Sequence, residues 1–207
     1  GKDPRFETTL RETAQRILTE IDRLDGIARA FSRFGAPEAA GAGEGGAGGG
    51  ERERGAGSTA APLEPVDLAA AAREVVQLYR LGSATRFEVR AGPDGAFALA
   101  RTDEVKEVLG NLLENARNAD ATRVTIRITA RGRRLVVTDN GRGVAPEALP
   151  RVFEPTFSTT SSGAGLGLAI ARRLVESWGG AITLDSAPGE GTTVTLTLQA
   201  APPGAGR

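Results

Sequence analysis

The chain has 207 residues, enough for one domain of ordinary size plus an appendage. Its 26 basic and 26 acidic residues cancel, which argues against bulk binding to nucleic acid or to an anionic membrane surface. The absence of cysteine removes disulfides and thiolate metal sites and suits a reducing compartment, while the absence of histidine removes Ser/His/Asp triads and imidazole metal centres.

No apolar run approaches the roughly 20 residues that a membrane-spanning helix needs. The chain opens on Gly1 without a signal-peptide pattern, so it reads as an excised soluble piece. In residues 1–34 the apolar positions Leu10, Ala14, Ile17, Ile21, Leu24, Ala28 and Phe31 recur at alternating steps of four and three, a heptad seam on a single helix. A lone helix cannot bury such a stripe, so the seam calls for partner helices. The plainer alternative is an amphipathic helix packed on its own domain. Residues 35–62 are dominated by Gly, Ala and Glu and read as a flexible linker.

A folded domain is expected over residues 63–199. Pro65, Val66, Asp67 and Leu68 open a helix whose body runs over 69–79. Residues 86–90 and 96–100 read as strands around the turn Gly92, Pro93, Asp94, Gly95. A helix over 102–121 follows, then strands over 123–129 and 134–138 about a turn at Arg131 and Gly132. A Gly- and Ser-rich stretch leads to a helix over 166–178. Strands over 181–185 and 192–199 close the domain as a hairpin around Pro188, Gly189, Glu190 and Gly191, and residues 200–207 read as a disordered tail. Helices and strands mix without strict alternation. The expected class is therefore α+β, a two-layer α/β sandwich with helices on one face of a mixed sheet, preceded by a long stem helix.

The helix over 102–121 buries Val105, Val108, Leu109, Leu112, Leu113, Ala116 and Ala119 on one broad face, with Asn111, Asn115 and Asn118 along its border. Single surface or capping amides are common. Three on one edge are not, because Asn is a mediocre helix former and is costly when half-buried unpaired. They suit a site where amide oxygens meet a hard cation such as Mg²⁺, which otherwise keeps waters and substrate phosphates around it. Asp139, Asn140, Gly141, Arg142 and Gly143 then follow a strand. A carboxylate at a strand end accepts a hydrogen bond from an exocyclic amine such as that of adenine, and the glycines let backbone approach a flat base. Taken alone the same five residues are an ordinary turn. Between Phe153 and Leu168, small residues with free N–H groups run straight into a helix start, a favourable anion site. The run has no Gly-Lys-Ser/Thr, and Leu168 stands where a dinucleotide fingerprint needs its third glycine. It makes sense as a lid that closes over phosphates.

The order decides the reading. An Asn-rich helix at 111–119, Asp-x-Gly-x-Gly at 139–143, a Phe segment at 153–157, Gly-x-Gly-Leu-Gly at 163–167 and a glycine turn at 189–192 together resemble the GHKL ATPase superfamily and its Bergerat fold. Within it, the spelling is close to the sensor histidine kinases over about residues 63–198. The stem residues Asp3, Pro4 and Phe6, then Ile21 to Leu24 and Phe31 to Phe34, are similar to the second stem helix of nitrogen-regulation sensor kinases. The first stem helix, which carries the phosphoacceptor histidine in that family, is missing.

The resemblance implies a catalytic domain that binds ATP and Mg²⁺ and transfers the γ-phosphate to a histidine on a stem helix outside this chain, for relay to a cognate response regulator. It implies homodimerisation through the stem and a cytoplasmic place in an inner-membrane sensor. By the same resemblance Asn115 is the Mg²⁺ ligand, Asn111 acts near the phosphates as the catalytic amide, and Asp139 reads the adenine amine. Gly141, Gly143, Gly165 and Gly167 shape the pocket, Leu166 and Leu168 pack the lid helix, and Asn118, Phe153, Thr159, Gly163 and Thr192 complete the nucleotide site. The family often has a lysine in the lid, whereas Thr160, Ser161 and Ser162 offer no cation and Asn118 is neutral; Arg117 and Arg142 are the candidates to compensate. Two other functions compete. One is an ATP-gated clamp, which hydrolyses ATP with a glutamate where this chain has Asn111, and an amide is no general base. The other is a dimerisation or scaffolding module without kinase activity, a nucleotide-binding fold whose nucleotide site has decayed.

Overall fold

Strand β4 (Arg123–Thr129) alternates strictly: Val124, Ile126 and Ile128 are buried, while Arg123, Arg127 and Thr129 are exposed. That period of two marks a sheet with one covered and one solvated face. In the computed structural model, which describes residues 61–81, 83–92, 96–129, 133–158, 165–202 and 204, β4 lies inside a five-stranded sheet. The stem and linker readings for residues 1–60 fall outside the described residues, as do Thr159 and Gly163. The chain divides into two units, residues 1–62 and 63–207, and the second is the one described here.

The other strands of the sheet are β2 (Arg86–Ala91), β5 (Arg134–Asp139), β6 (Ala181–Ala187) and β7 (Gly191–Thr197), in the order β2-β4-β5-β7-β6. Only β2 and β4 run parallel, so the sheet is mixed. Its register stacks Ile126, Val137, Val194 and Leu184 in one row and Ile128, Leu135, Leu196 and Ile182 in the next. A one-residue slip would turn both rows to solvent, which is what holds the pairing.

Three helices cover this inner face: α1 (Leu68–Arg80), α2 (Thr102–Asn118) and α3 (Gly167–Ser177). The middle one, α2, packs against both of the others, while α1 also meets β2 and α3 meets β6. Its buried residues are Val105, Val108, Leu109, Leu112, Leu113 and Ala116, the stripe expected from the sequence. Each large one contributes about 1.5–3 kcal/mol through burial. The side chain of Asp67 accepts from the N–H groups of Ala69 and Ala70 at 2.9 and 3.0 Å and so starts α1. The Tyr79 hydroxyl donates to the Gly110 carbonyl at 3.0 Å, and Trp178 Nε1 donates to Glu104 at 2.6 Å, tying α1 to α2 and the end of α3 to the start of α2.

The architecture is the expected two-layer α+β sandwich, with three local differences. Glu64–Asp67, read as a helix opening, forms a strand, β1, before Asp67 caps the helix. Its antiparallel partner is β3 (Phe97–Ala100), so β2 and β3 belong to different sheets rather than flanking one turn as partners. Part of the stretch assigned to the tail is paired as well. Ala200 bridges to Ala98, and the Ala201 N–H donates to the Phe97 carbonyl at 3.2 Å.

Candidate functional site

Asp139, Gly141, Gly143, Thr192 and Asn118 gather at one end of the sheet, where β5 stops, β7 begins and α2 ends. Asp139 is the last residue of β5, and its carboxylate accepts the Gly141 N–H at 2.8 Å and a further N–H from Thr192. Burial pushes the Asp139 carboxyl above its ordinary range, and those two N–H groups offset part of the rise. Asn140 turns the other way. Its Oδ1 accepts from Thr122 and Arg123 at 3.0 and 2.8 Å and its Nδ2 donates to the Thr122 hydroxyl at 2.9 Å, pinning the turn to the start of β4.

The two glycines of the turn are there because nothing larger fits. A Cβ on Gly141 would lie 2.7 Å from the Ala119 carbonyl oxygen, at the point where the Arg142 N–H donates to that same oxygen at 2.9 Å. A Cβ on Gly143, at φ +70°, would lie 2.0 Å from the Ala187 carbonyl oxygen. The β6–β7 turn returns the contact: a Cβ on Gly191 would meet the Asp139 carbonyl at 2.1 Å. Backbone and side-chain hydrogen bonds finish the join. Gly189 N–H donates to the Arg142 carbonyl at 2.8 Å, and Val144 N–H to Ser186 Oγ at 2.9 Å. Ser186 Oγ also lies 2.7 Å from the Gly191 carbonyl and 3.0 Å from Thr192 Oγ1.

At the other end of the site, α3 starts at Gly167 after Leu166 with no side-chain cap. Asn111 lies against that start: a Cβ on Gly167 would be 3.3 Å from its Oδ1. The Nδ2 of Asn111 is buried and has no hydrogen-bond partner among the described residues. The first N–H groups of a helix have no partner within the helix, so this start and the Asn111 amide together suit an anion. Asn115, one turn further along α2, is exposed, and Asn118 is half-buried at the helix end with its carbonyl accepting from Arg142. The Phe segment closes on the same helix start, because a Cβ on Gly165 would lie 2.5 Å from the Thr156 carbonyl carbon. Phe153 carries the Arg172 guanidinium 5.7 Å from its ring centre, and Phe157 carries Arg151 at 4.7 Å. Leu166 and Leu168 are half-buried on either side of Gly167.

One expectation changes. Arg117 and Arg142 were the candidates to replace a missing lid cation, but Arg142 pairs with Asp120 at 3.0 Å and donates to the Asn118 carbonyl at 2.6 Å, and Arg117 pairs with Glu114 at 2.7 Å. Both guanidiniums are engaged around the C-terminal end of α2, where helix carbonyls favour a cation. Two residues that sequence reasoning missed hold the site together: Asn140 and Ser186. A Ser in a strand gives no signal by itself. Its place four residues after Ile182 on the inward row, beside a glycine turn, is the only hint the sequence offers.

Comparisons with known proteins bear on the family and the fold. The family model for histidine kinase-, DNA gyrase B- and HSP90-like ATPases matches residues 100–202. The sensor histidine kinase ZraS of Escherichia coli is 37% identical over 140 residues, covering 66% of this chain and 28% of the relative. The C4-dicarboxylate transport sensor protein DctB of Rhizobium meliloti is 38% identical over 115 residues, covering 53% of this chain and 18% of that protein. The chain thus spans less than a third of the length of these curated relatives. Among solved structures, the mycobacterial sensor histidine kinase MprB superposes with a TM-score of 0.59 at 29% identity, covering 68% of this chain and 99% of that one. Full-length ShkA, solved in complex with AMPPNP, superposes with a TM-score of 0.61 at 27% identity, covering 95% of this chain and 39% of that one. The chain belongs to the sensor histidine kinase branch of the histidine kinase-, DNA gyrase B- and HSP90-like ATPases, and its folded unit is the ATP-binding catalytic domain of that family.

Proposed function

We propose that this domain binds ATP together with Mg²⁺ and presents the γ-phosphate to a histidine on a stem helix. The observation that carries the reading is the buried, unpartnered Nδ2 of Asn111 beside the uncapped start of α3. A buried donor without a partner costs about 1–3 kcal/mol, and an anion at this place would satisfy it. Asp139 supports the base end of the same ligand, with its carboxylate accepting an exocyclic amine. Gly141, Gly143, Gly165, Gly167, Phe153, Asn118, Leu166, Leu168 and Thr192 form the surrounding walls in this reading, with Thr159 and Gly163 supplied by the lid.

Asn115 offers the amide oxygen for the cation. Among the described residues no group of three His, Cys, Asp or Glu is placed to hold a metal, so phosphates and water supply the rest, as Mg²⁺ tolerates. When bound, the cation neutralises phosphate charge. The chain's own contribution is positioning, since phosphoryl transfer asks the protein for alignment and charge complementarity rather than covalent chemistry. The setting in this reading is a stem-linked homodimer in the cytoplasmic part of an inner-membrane sensor that relays phosphate to a cognate response regulator. No helix among the described residues is long and apolar enough to cross a membrane.

Titration of the chain with ATP, with and without Mg²⁺, tests the proposal, followed by transfer of labelled γ-phosphate to a histidine-bearing stem fragment supplied in trans. The expected result is Mg²⁺-dependent binding that falls about tenfold in Asn115→Ala, with the Mg²⁺-free affinity unchanged. No binding at all would favour a scaffold. Sustained ATP hydrolysis with no histidine acceptor present would favour an ATP-gated clamp.

A further inference from the structure

The hydroxyl of Ser186 has one proton and two lone pairs. The Gly191 carbonyl, 2.7 Å away, can only accept, so the Ser186 proton goes there. The Val144 N–H can only donate, so it occupies one lone pair at 2.9 Å. Thr192 Oγ1, at 3.0 Å, is left with the second lone pair and must be the donor in that contact. The direction of every bond around Ser186 is therefore fixed by elimination, and the proton of the Thr192 hydroxyl is spent. What Thr192 Oγ1 retains is acceptor capacity only.

Thr192 is also the residue whose N–H donates to the Asp139 carboxylate, which sets the two residues side by side at this end of the sheet. Asp139 already takes N–H groups from Gly141 and Thr192, and a carboxylate offers only further acceptors. From this arrangement we infer that Ser186 is a positioning residue for base specificity: it orients the Thr192 hydroxyl so that the base-reading wall presents acceptors and no donor. Such a wall accepts a purine with an amino group at position 6, which brings two N–H donors, and disfavours a 6-oxo purine, which brings an oxygen against an oxygen. A site that leaves polar groups facing like groups discriminates strongly. Hypoxanthine still has an N–H at position 1 for Asp139, so the choice against it falls on Thr192.

This inference rests on the nucleotide reading above, and inosine triphosphate separates the two. The full chain is titrated calorimetrically with ATP and with inosine triphosphate, and the ratio of the two affinities is compared across variants. The ratio is independent of the fraction of protein that is folded, so a destabilised variant remains informative. The unaltered chain is expected to favour ATP. In Ser186→Ala the freed Thr192 hydroxyl can turn its proton toward a 6-oxo group, and the ratio shrinks by about tenfold, the worth of one hydrogen bond. Ser186→Thr, which keeps the hydroxyl, restores the ratio. In a Thr192→Val background the Ser186→Ala change has no further effect on it, because the two act as a unit. A ratio unchanged in Ser186→Ala, or an effect that persists in the Thr192→Val background, overturns the inference. Equal binding of ATP and inosine triphosphate by the unaltered chain overturns it too while leaving nucleotide binding intact. Binding of neither overturns the nucleotide reading itself and this inference with it.

Discussion

The two ends of the site are built on opposite plans. At the base end, every group has a partner: Asp139, Asn140, Ser186, Gly143 and Gly191 interlock through backbone contacts too close to admit a Cβ, and through hydrogen bonds of 2.7–3.0 Å. At the proposed phosphate end, Asn111 holds a buried donor with no partner among the described residues, Leu166 gives α3 no side-chain cap, and Thr156 carries a positive φ of 65° that a β-branched residue rarely adopts. The first end is preorganised, so a ligand there loses little in ordering the protein. In the proposed function an anion completes the second, so part of its stabilisation arrives only with the ligand. In that reading a rigid frame meets the base and an unfinished one meets the phosphates.

The comparison breaks most visibly if the interlock is opened. Gly143→Ala adds a methyl where the Ala187 carbonyl already lies, at a backbone angle that favours glycine. We expect a loss of about 3 kcal/mol or more, seen as a fall in Tm on the order of 10 °C, with ATP binding lost alongside. Asp139→Asn tests the base end without opening it. ATP affinity should fall by about 10- to 100-fold, the worth of a charge-assisted bond, while Tm at neutral pH stays within a few degrees. The sign of the pH effect follows from the raised pKa of Asp139. The fold favours the neutral acid, so the stability contributed by this one group is fully present below the ordinary Asp value of 3.8 and is lost as pH rises from there through the higher folded value. Measured as the difference between the unaltered chain and Asp139→Asn, so that other carboxylates cancel, the variant should gain on the parent across that window and hold its lead above it.

At the phosphate end the effects on stability should be slight. Asn111→Ala relieves a buried donor that has no partner among the described residues but also removes packing around it; the two oppose, so thermal unfolding should move by less than about 1 kcal/mol while ATP affinity falls about tenfold. The smallest change is expected from Thr156→Gly. Relief of the left-handed backbone outweighs the extra chain entropy of glycine, and the domain should gain about 0.5–1 kcal/mol by denaturant titration. A loss there would mean that Thr156 is held by more than its backbone.

Much of the domain could be read from residues alone, and the reasons are local. The stripe of α2 and the alternation of β4 each repeat several times within one element, so burial and periodicity agree. The glycine boxes carry their own geometry, since each marks a backbone approach that a side chain would block. What stayed hidden depends on partners far along the chain. Glu64–Asp67 has a single buried residue, Val66, and becomes a strand only because β3 is beside it. Gly92 and its neighbours signal a turn, but a turn does not say whether the strands it joins will pair. Arg142 looks like a free cation in the sequence; Asp120 and the Asn118 carbonyl claim it only once the fold brings the end of α2 to the end of β5. Ser186 matters for what two other segments, at Val144 and at Gly191 and Thr192, direct at it, and no single segment records that.

The small sheet has one more consequence. The Leu99 N–H donates to the Gln199 carbonyl at 2.9 Å, and Ala200 and Ala201 pair onto the same strand. Strand β3, early in the domain, therefore finishes its hydrogen bonding with residues about 100 positions later in the chain. A chain still on the ribosome can form the α1–α2 pair early, but β3 waits with an open edge until the closing residues emerge. Such distant pairing slows folding, and a truncation just before Gln199 would leave that edge permanently exposed to other chains.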